Sequence, residues 1–381
     1  MEAGMSQYLL DTYETLPFPI ERGSGVYVFD NEGNRYLDLY GGHAVSLMGH
    51  CPEPIIDAII EQAKKLLFYS NVAETSIRNE AADALAEIVH PSLRNFFFCN
   101  SGAEANENAI KLAILQSGRE LVAAYRGSFH GRSLLCTAVS DNPKTNKDLG
   151  NWVGNRVEFL IPNDEGGLDQ LTDEFACVIL EPIQSMAGMV EFNHDYLVKL
   201  REVCLRKGIL LIFDEVQTGF GRTGSFFISG FNGIEPDMMT SAKGIASGYP
   251  IGLLAVAENV KERISVGDLG STYGAGPVAM AAVKATAEML QSGFLLNQVN
   301  QINGMMRALI EVDGVEEVRG KGCLIGLKTR LSAKELRDRL LGHQIITGTS
   351  KHPSVLRLLP PIILEEQHII HFRSKLAECL Q

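Results

Sequence analysis

His194-Asp-Tyr-Leu-Val-Lys-Leu-Arg-Glu-Val-Cys-Leu-Arg-Lys-Gly-Ile-Leu-Leu-Ile-Phe-Asp214 carries two different periods. From His194 to Lys207 apolar and charged residues recur at helical spacing, and Gly208 stops the run. Leu210–Asp214 is then continuously apolar until a carboxylate closes it. A strand apolar on both faces is buried on both faces, which marks a mostly parallel sheet covered by helices. Outward from this unit, Asn95–Asn100, Leu121–Tyr125, Leu134–Val139, Val157–Ile161 and Cys177–Glu181 read as further strands, and Glu104–Gln116 as a helix. The expected fold is α/β. Ligands of such sheets bind beyond the carboxyl ends of the strands.

Beyond about Gly270 the pattern changes. Gly276-Pro277 opens a helical stretch, Val278–Gln291, leading to a second lobe. There Gly314–Leu327 and Val355–Leu359 read as strands, and Ile369, Phe372, Leu376 and Leu380 mark a C-terminal helix. The first 45 residues read as a turn, a hairpin over Gly25–Asp38 and a loop.

Composition narrows the partners. The 381 residues hold 34 Lys+Arg against 46 Asp+Glu, a net charge of −12. Such a chain repels phosphate backbones and anionic lipid, so nucleic acid is not an expected partner. Seven scattered Cys form no CxxC pair, which disfavours a structural zinc or a disulfide framework and predicts mostly buried thiols. No apolar run spans a bilayer, and no basic start with an apolar core follows Met1. A cytoplasmic protein without membrane attachment is expected.

Five stretches carry candidate chemistry. Ser101 and Glu104 form a capping box at a helix start, and Gly102 and Ala103 leave its N–H groups open to a phosphate. Asp214 and Glu181 close apolar strands, where Asp is rarely buried without a partner. Two such carboxylates also suit glycoside hydrolysis or a divalent metal, but no further ligand has convincing spacing, so no metal is expected. Gly219-Phe-Gly-Arg-Thr-Gly224 matches GxGxxG, yet no helical period follows to receive a dinucleotide pyrophosphate. Lys243 lies between small residues in Ser241-Ala-Lys-Gly244, a setting for a nucleophilic amine. A phosphate cradle, a strand-end Asp and a Lys together are what pyridoxal 5′-phosphate needs.

These residues resemble the class III pyridoxal-phosphate aminotransferases of fold type I, nearest the acetylornithine, succinylornithine and ornithine branch. The resemblance runs from about Gly23 to the C-terminus. It rests on Asn100-Ser-Gly-Ala-Glu-Ala-Asn-Glu107, Ser128-Phe-His-Gly-Arg132, Leu180-Glu-Pro-Ile-Gln184, Phe213-Asp-Glu-Val-Gln-Thr-Gly-Phe-Gly-Arg-Thr-Gly224, Ser241-Ala-Lys-Gly244 and Gly270-Ser-Thr-Tyr273. It implies Lys243 as the Schiff-base lysine and proton-moving base, and Asp214 as the partner of the pyridine nitrogen. Val216 and Phe129 would flank the ring, and Gln217 would reach the phenolic oxygen. Ser101, Gly102 and Ala103 would hold the phosphate, and His130 and Glu181 join the cofactor site. Thr272 would reach the phosphate of a neighbouring subunit, which implies a homodimer with shared sites. Arg132 and Arg357 would grip substrate carboxylates, Tyr27 would lie near the substrate, and His43 would contact an acyl group.

The family fold implies an N-terminal segment (1–45) packed on a small α+β domain (276–381), with a large cofactor-binding domain (46–275). The implied reaction moves the δ-amino group of an N-acylated ornithine to 2-oxoglutarate, in arginine biosynthesis. Ornithine, 4-aminobutyrate and other ω-amino donors are the alternatives within the family. Outside it stand a non-catalytic pyridoxal-phosphate-binding protein and a nicotinamide-dependent dehydrogenase. Three departures bear on substrate. Met186 stands where the family has a Glu that masks the second arginine, so either another acid masks Arg357 or it stays available. Gly274-Ala-Gly-Pro277 replaces Gly-Gly-Asn-Pro, and His43 occupies a specificity position.

Overall fold

The computed structural model describes residues 8–143, 145, 146, 149, 156–229 and 233–381. At its centre is a seven-stranded sheet in the order Asn95–Cys99, Gly252–Val256, Met238–Ser241, Leu210–Asp214, Phe175–Leu180, Leu121–Tyr125 and Val157–Leu160. Gly252–Val256 pairs antiparallel with both of its neighbours, and the other pairings are parallel. Every residue of Phe175–Leu180, Leu210–Asp214, Met238–Ser241 and Gly252–Val256 is buried, as the apolar runs require. Helices Gly102–Ser117 and His194–Lys207 lie where helical spacing places them. Both end on a left-handed glycine, Gly118 and Gly208, which closes the last turn without Cβ strain.

One predicted strand is a helix. Leu134–Val139 winds because the Glu107 carboxylate caps it from another helix. It accepts the Ser133 hydroxyl at 2.5 Å and the Leu135 and Cys136 N–H groups at 3.3 and 3.2 Å. A six-residue apolar run fits either period, and here a distant cap decides. Met238–Ser241 and Gly252–Val256 are strands without a clear sequence signal; burial between neighbours overrides their weak β-propensity.

Among the described residues, two four-stranded sheets and the two-stranded pair Ile183–Gln184 and Val190–Glu191 complete the fold. Tyr27–Asp30 and Arg35–Asp38 form the expected hairpin, joined by the unforeseen Ile20–Ser24; Ile345–Ile346 pairs parallel with Arg35–Asp38. Gly314–Leu327 divides into two strands, Val315–Lys321 and Leu324–Thr329. Val355–Leu358 and Gly348–Thr349 extend that sheet. Helices Pro277–Gln291 and Glu366–Leu380 match their predicted spans to within one residue. Six Cys are buried and Cys51 is exposed. Among the described residues no helix is long and apolar enough to cross a membrane.

Candidate active site

The strand ends converge on a cavity of about 470 Å³ lined by Lys243, Asp214, Gln217, Phe129 and the Ser101–Ala103 turn among others. Asp214 is only 4% exposed. Its Oδ2 accepts the Asn106 amide at 2.7 Å and lies 2.8 Å from His130 Nδ1; its Oδ1 accepts the Val216 N–H at 3.0 Å. A carboxylate only accepts, so Nδ1 carries the proton. Asn106 also receives the Thr240 hydroxyl at 2.6 Å and donates to the His130 carbonyl at 2.8 Å. The buried carboxylate is thus satisfied on both oxygens and fixed in direction.

Lys243 begins the turn after Met238–Ser241 with φ +47°, a backbone region that residues with a Cβ avoid. Burial pushes its amine down to about 8, against the opposing pull of Asp214 and Glu181. Glu181 accepts the Phe129 N–H at 2.8 Å, and burial raises its carboxyl above the usual range. Opposite, Ser101 caps helix Gly102–Ser117 by accepting the Glu104 N–H at 3.1 Å. The first-turn N–H groups of that helix lack intrahelical partners and open on the cavity.

Two guanidinium groups lie nearby without a carboxylate partner among the described residues. Arg132 rests between the rings of Phe129 and Tyr13, its Cζ 5.9 and 5.5 Å from their centroids, and donates to the Tyr13 hydroxyl at 3.3 Å. Arg357 is 2% exposed. It donates to the Thr349 carbonyl, Ser185 Oγ and the Tyr40 hydroxyl at 2.5, 3.2 and 3.0 Å. Among the described residues no carboxylate lies within ion-pair distance of Arg357, whose side-chain hydrogen bonds all go to uncharged groups.

The remaining expectations divide. Ser101, Gly102, Ala103, Phe129, His130, Arg132, Glu181, Asp214, Val216, Gln217 and Lys243 line one cavity. Within it His130 and Glu181 hold Asp214 and the Phe129 backbone respectively. His43 lies in an adjoining cavity of about 940 Å³ with Tyr13 and Tyr40, its Nδ1 2.9 Å from the Tyr40 hydroxyl. Desolvation by the surrounding protein atoms and then the charges of Lys243, Arg357 and Arg132 push its imidazole down to about 4, although the side chain keeps contact with solvent. Tyr27 does not reach the site. It stacks edge-on against His368 at 5.6 Å and under Arg35 at 4.5 Å, because strand alternation turns it toward the C-terminal helix. Thr272 lines a different groove of its own chain, beside Ser271, whose hydroxyl accepts the Asn100 amide at 3.1 Å. The GxGxxG segment forms turns, and among the described residues no helix directly follows it; its Arg222 is buried and bonds the carbonyls of Cys323, Pro360 and Ala44. Sequence reading missed Asn106, Tyr40, Ser185 and Tyr13. Asn106 had a signal, a polar residue on a helix face otherwise occupied by Ala105, Ala109 and Ile110.

Residues 9–380 match the aminotransferase class-III family. The chain belongs to the class III aminotransferases. Acetylornithine aminotransferase of Archaeoglobus fulgidus is 39% identical over 95% of this chain and 96% of its own length. The [LysW]-aminoadipate semialdehyde/glutamate semialdehyde transaminase of Sulfolobus acidocaldarius is 33% identical over 98% and 97%. The solved N-acetylornithine aminotransferase of Stenotrophomonas maltophilia superposes with a TM-score of 0.81 at 29% identity, over 95% of each chain. The protein is therefore a transaminase that works with pyridoxal 5′-phosphate. The cavity fits that group on its own terms. Gln217 Oε1 and His130 Nε2 are buried there without partners. At Gly102 an added Cβ would lie 2.8 Å from Val216 Cγ2, so only glycine keeps the helix start open. An anion cradle, a fixed carboxylate and a half-buried amine then face one space.

Proposed function

We propose that this transaminase moves the terminal amino group of an N-acylated ornithine to 2-oxoglutarate, giving the semialdehyde and glutamate in arginine biosynthesis. The observation that carries the reading is the pair of guanidinium groups around one lysine, neither with a described acidic partner. Two carboxylate-bearing substrates, met in turn, supply the missing counter-ions. The cavity beside His43 gives an acyl group room, and the named relatives support the donor class.

The bound cofactor supplies an aldehyde that captures amines and a ring that accepts electrons. Lys243 supplies the amine that holds it, and once free moves a proton at the reacting substrate carbon. Its lowered pKa leaves a useful neutral fraction near neutrality. Asp214, locked by Asn106 and His130, would hold the proton on the ring nitrogen. Val216 and Phe129 would flank the ring, Gln217 would reach its phenolic oxygen, and Ser101, Gly102 and Ala103 would hold the phosphate. Arg132 takes the donor carboxylate and Arg357 the α-carboxylate of 2-oxoglutarate. Bidentate guanidinium pairing sets both registers.

The same reading makes the working unit a homodimer in which Thr272 serves the neighbour's phosphate. Its place in a groove outside its own cofactor cavity supports this. It also divides the chain near residues 45 and 275, supported by the pairing of Arg35–Asp38 with Ile345–Ile346. Donor-panel kinetics test the proposal. N-acetylornithine or N-succinylornithine should exceed ornithine and 4-aminobutyrate in kcat/KM by at least about tenfold, a difference of about 1.4 kcal/mol. A preference for an unacylated donor would overturn it.

A further inference from the structure

Four consecutive residues, Gly41, Gly42, His43 and Ala44, have φ of 55°, 54°, 71° and 64°. This is a short left-handed turn, and His43 and Ala44 enter it against the preference of L residues. Such a conformation persists only where its surroundings over-determine it, and it clusters at functional sites. The surroundings here are explicit. Asp38 accepts the N–H groups of Tyr40 and Gly41 on Oδ1 at 2.8 and 2.9 Å, and that of Gly42 on Oδ2 at 3.1 Å. His50 Nε2 lies 2.8 Å from Oδ2. At the far end Arg222 donates to the Ala44 carbonyl at 3.3 Å.

The turn presents a directed chain of hydrogen bonds. Arg357 donates to the Tyr40 oxygen, so the Tyr40 proton is free to go to His43 Nδ1. That order needs an unprotonated Nδ1. Arg357 then spends three of its five N–H groups, one on each nitrogen, on Thr349, Ser185 and Tyr40. One N–H remains on each terminal nitrogen.

We propose that Tyr40 is a positioning residue for Arg357: its hydroxyl, aimed by His43 on the Asp38-templated turn, fixes the guanidinium plane with an uncharged partner and so sets the grip on the α-carboxylate of glutamate and 2-oxoglutarate. The inference rests on the assignment of Arg357 to that carboxylate. An uncharged partner does not compete with the substrate as an acid would, so the arginine keeps one orientation through both halves of the cycle.

Tyr40→Phe keeps the ring packed against Gly348 and removes only the hydroxyl. Rapid-mixing spectra of the holoenzyme with glutamate alone, and of its aminated form with 2-oxoglutarate, read the effect. The apparent Kd for both should rise about tenfold, the size expected for a lost bond to a charged group, with the limiting rate changed less than about threefold. The half-reaction with the acylated donor should move less. His43→Ala should act in the same direction. His43→Asn, whose amide oxygen replaces Nδ1 and which tolerates positive φ, should restore binding. Equal weakening toward donor and acceptor, or no weakening of glutamate, would overturn the inference, as would failure of His43→Asn to exceed His43→Ala. The glutamate readout needs no acylated donor. A protein that reacts with glutamate but not with N-acylornithines would fail the proposed function and leave this test intact.

Discussion

The floor of the cavity and its rim handle charge in opposite ways. On the floor Asp214 is a buried anion with donors on both oxygens, from Asn106, His130 and Val216. On the rim Arg132 and Arg357 are cations held by tyrosines, a serine and a carbonyl, with N–H groups to spare. A satisfied charge is finished structure, built for a group that stays. The spare N–H groups of Arg132 and Arg357 suit carboxylates that come and go. The floor rests on the ends of fully buried central strands, whereas Arg132 lies in a loop and Arg357 in the strand Val355–Leu358 of a smaller sheet. A permanent cofactor and exchanging substrates therefore leave different electrostatic signatures in one protein.

The comparison breaks most visibly at the floor. Lys243→Ala should lower turnover with every donor by about 10²–10⁴-fold, the range of a lost general base, measured by glutamate release. Retained turnover would remove the lysine from the mechanism. Rim variants should be selective instead. Arg357→Met should raise KM for 2-oxoglutarate by about 10–100-fold and Arg132→Met that for the donor, each leaving the other within a few-fold. If both variants damage both substrates equally, the two-site division is wrong.

Proton affinity sharpens the same contrast. With Lys243 lowered to about 8 in the cofactor-free protein, the amine is charged and unreactive below that pH. The rate of reloading pyridoxal 5′-phosphate should then climb about tenfold per pH unit below 8 and level off above it, followed by stopped-flow absorbance. A flat profile from pH 6 to 9 would contradict the lowered pKa. Smallest is Glu107→Gln, which weakens the cap on Leu134–Val139. It should cost about 1–2 kcal/mol of stability in denaturant melts with little change in KM.

The floor was far more legible in the sequence than the rim. Asp214, Lys243 and the Ser101–Ala103 turn sit at junctions where an apolar run meets a polar residue, and such junctions are local. The helices His194–Lys207 and Glu366–Leu380 were readable for the same reason, from their own periodicity. Leu134–Val139 was misread because its cap comes from Glu107, in another helix. Tyr40 gave no signal, since its partner lies 317 residues away. Tyr27 was misplaced because its side of the hairpin depends on the Glu366–Leu380 helix packed against it. Tertiary partners decide the rim, and a linear pattern does not contain them.

The most direct test of the account is the absorption spectrum of the purified holoenzyme during sequential additions. A visible cofactor band should bleach with N-acetylornithine or N-succinylornithine and return with 2-oxoglutarate. A band indifferent to both donors, yet bleached by another amine, would contradict the substrate assignment built on the two open arginines.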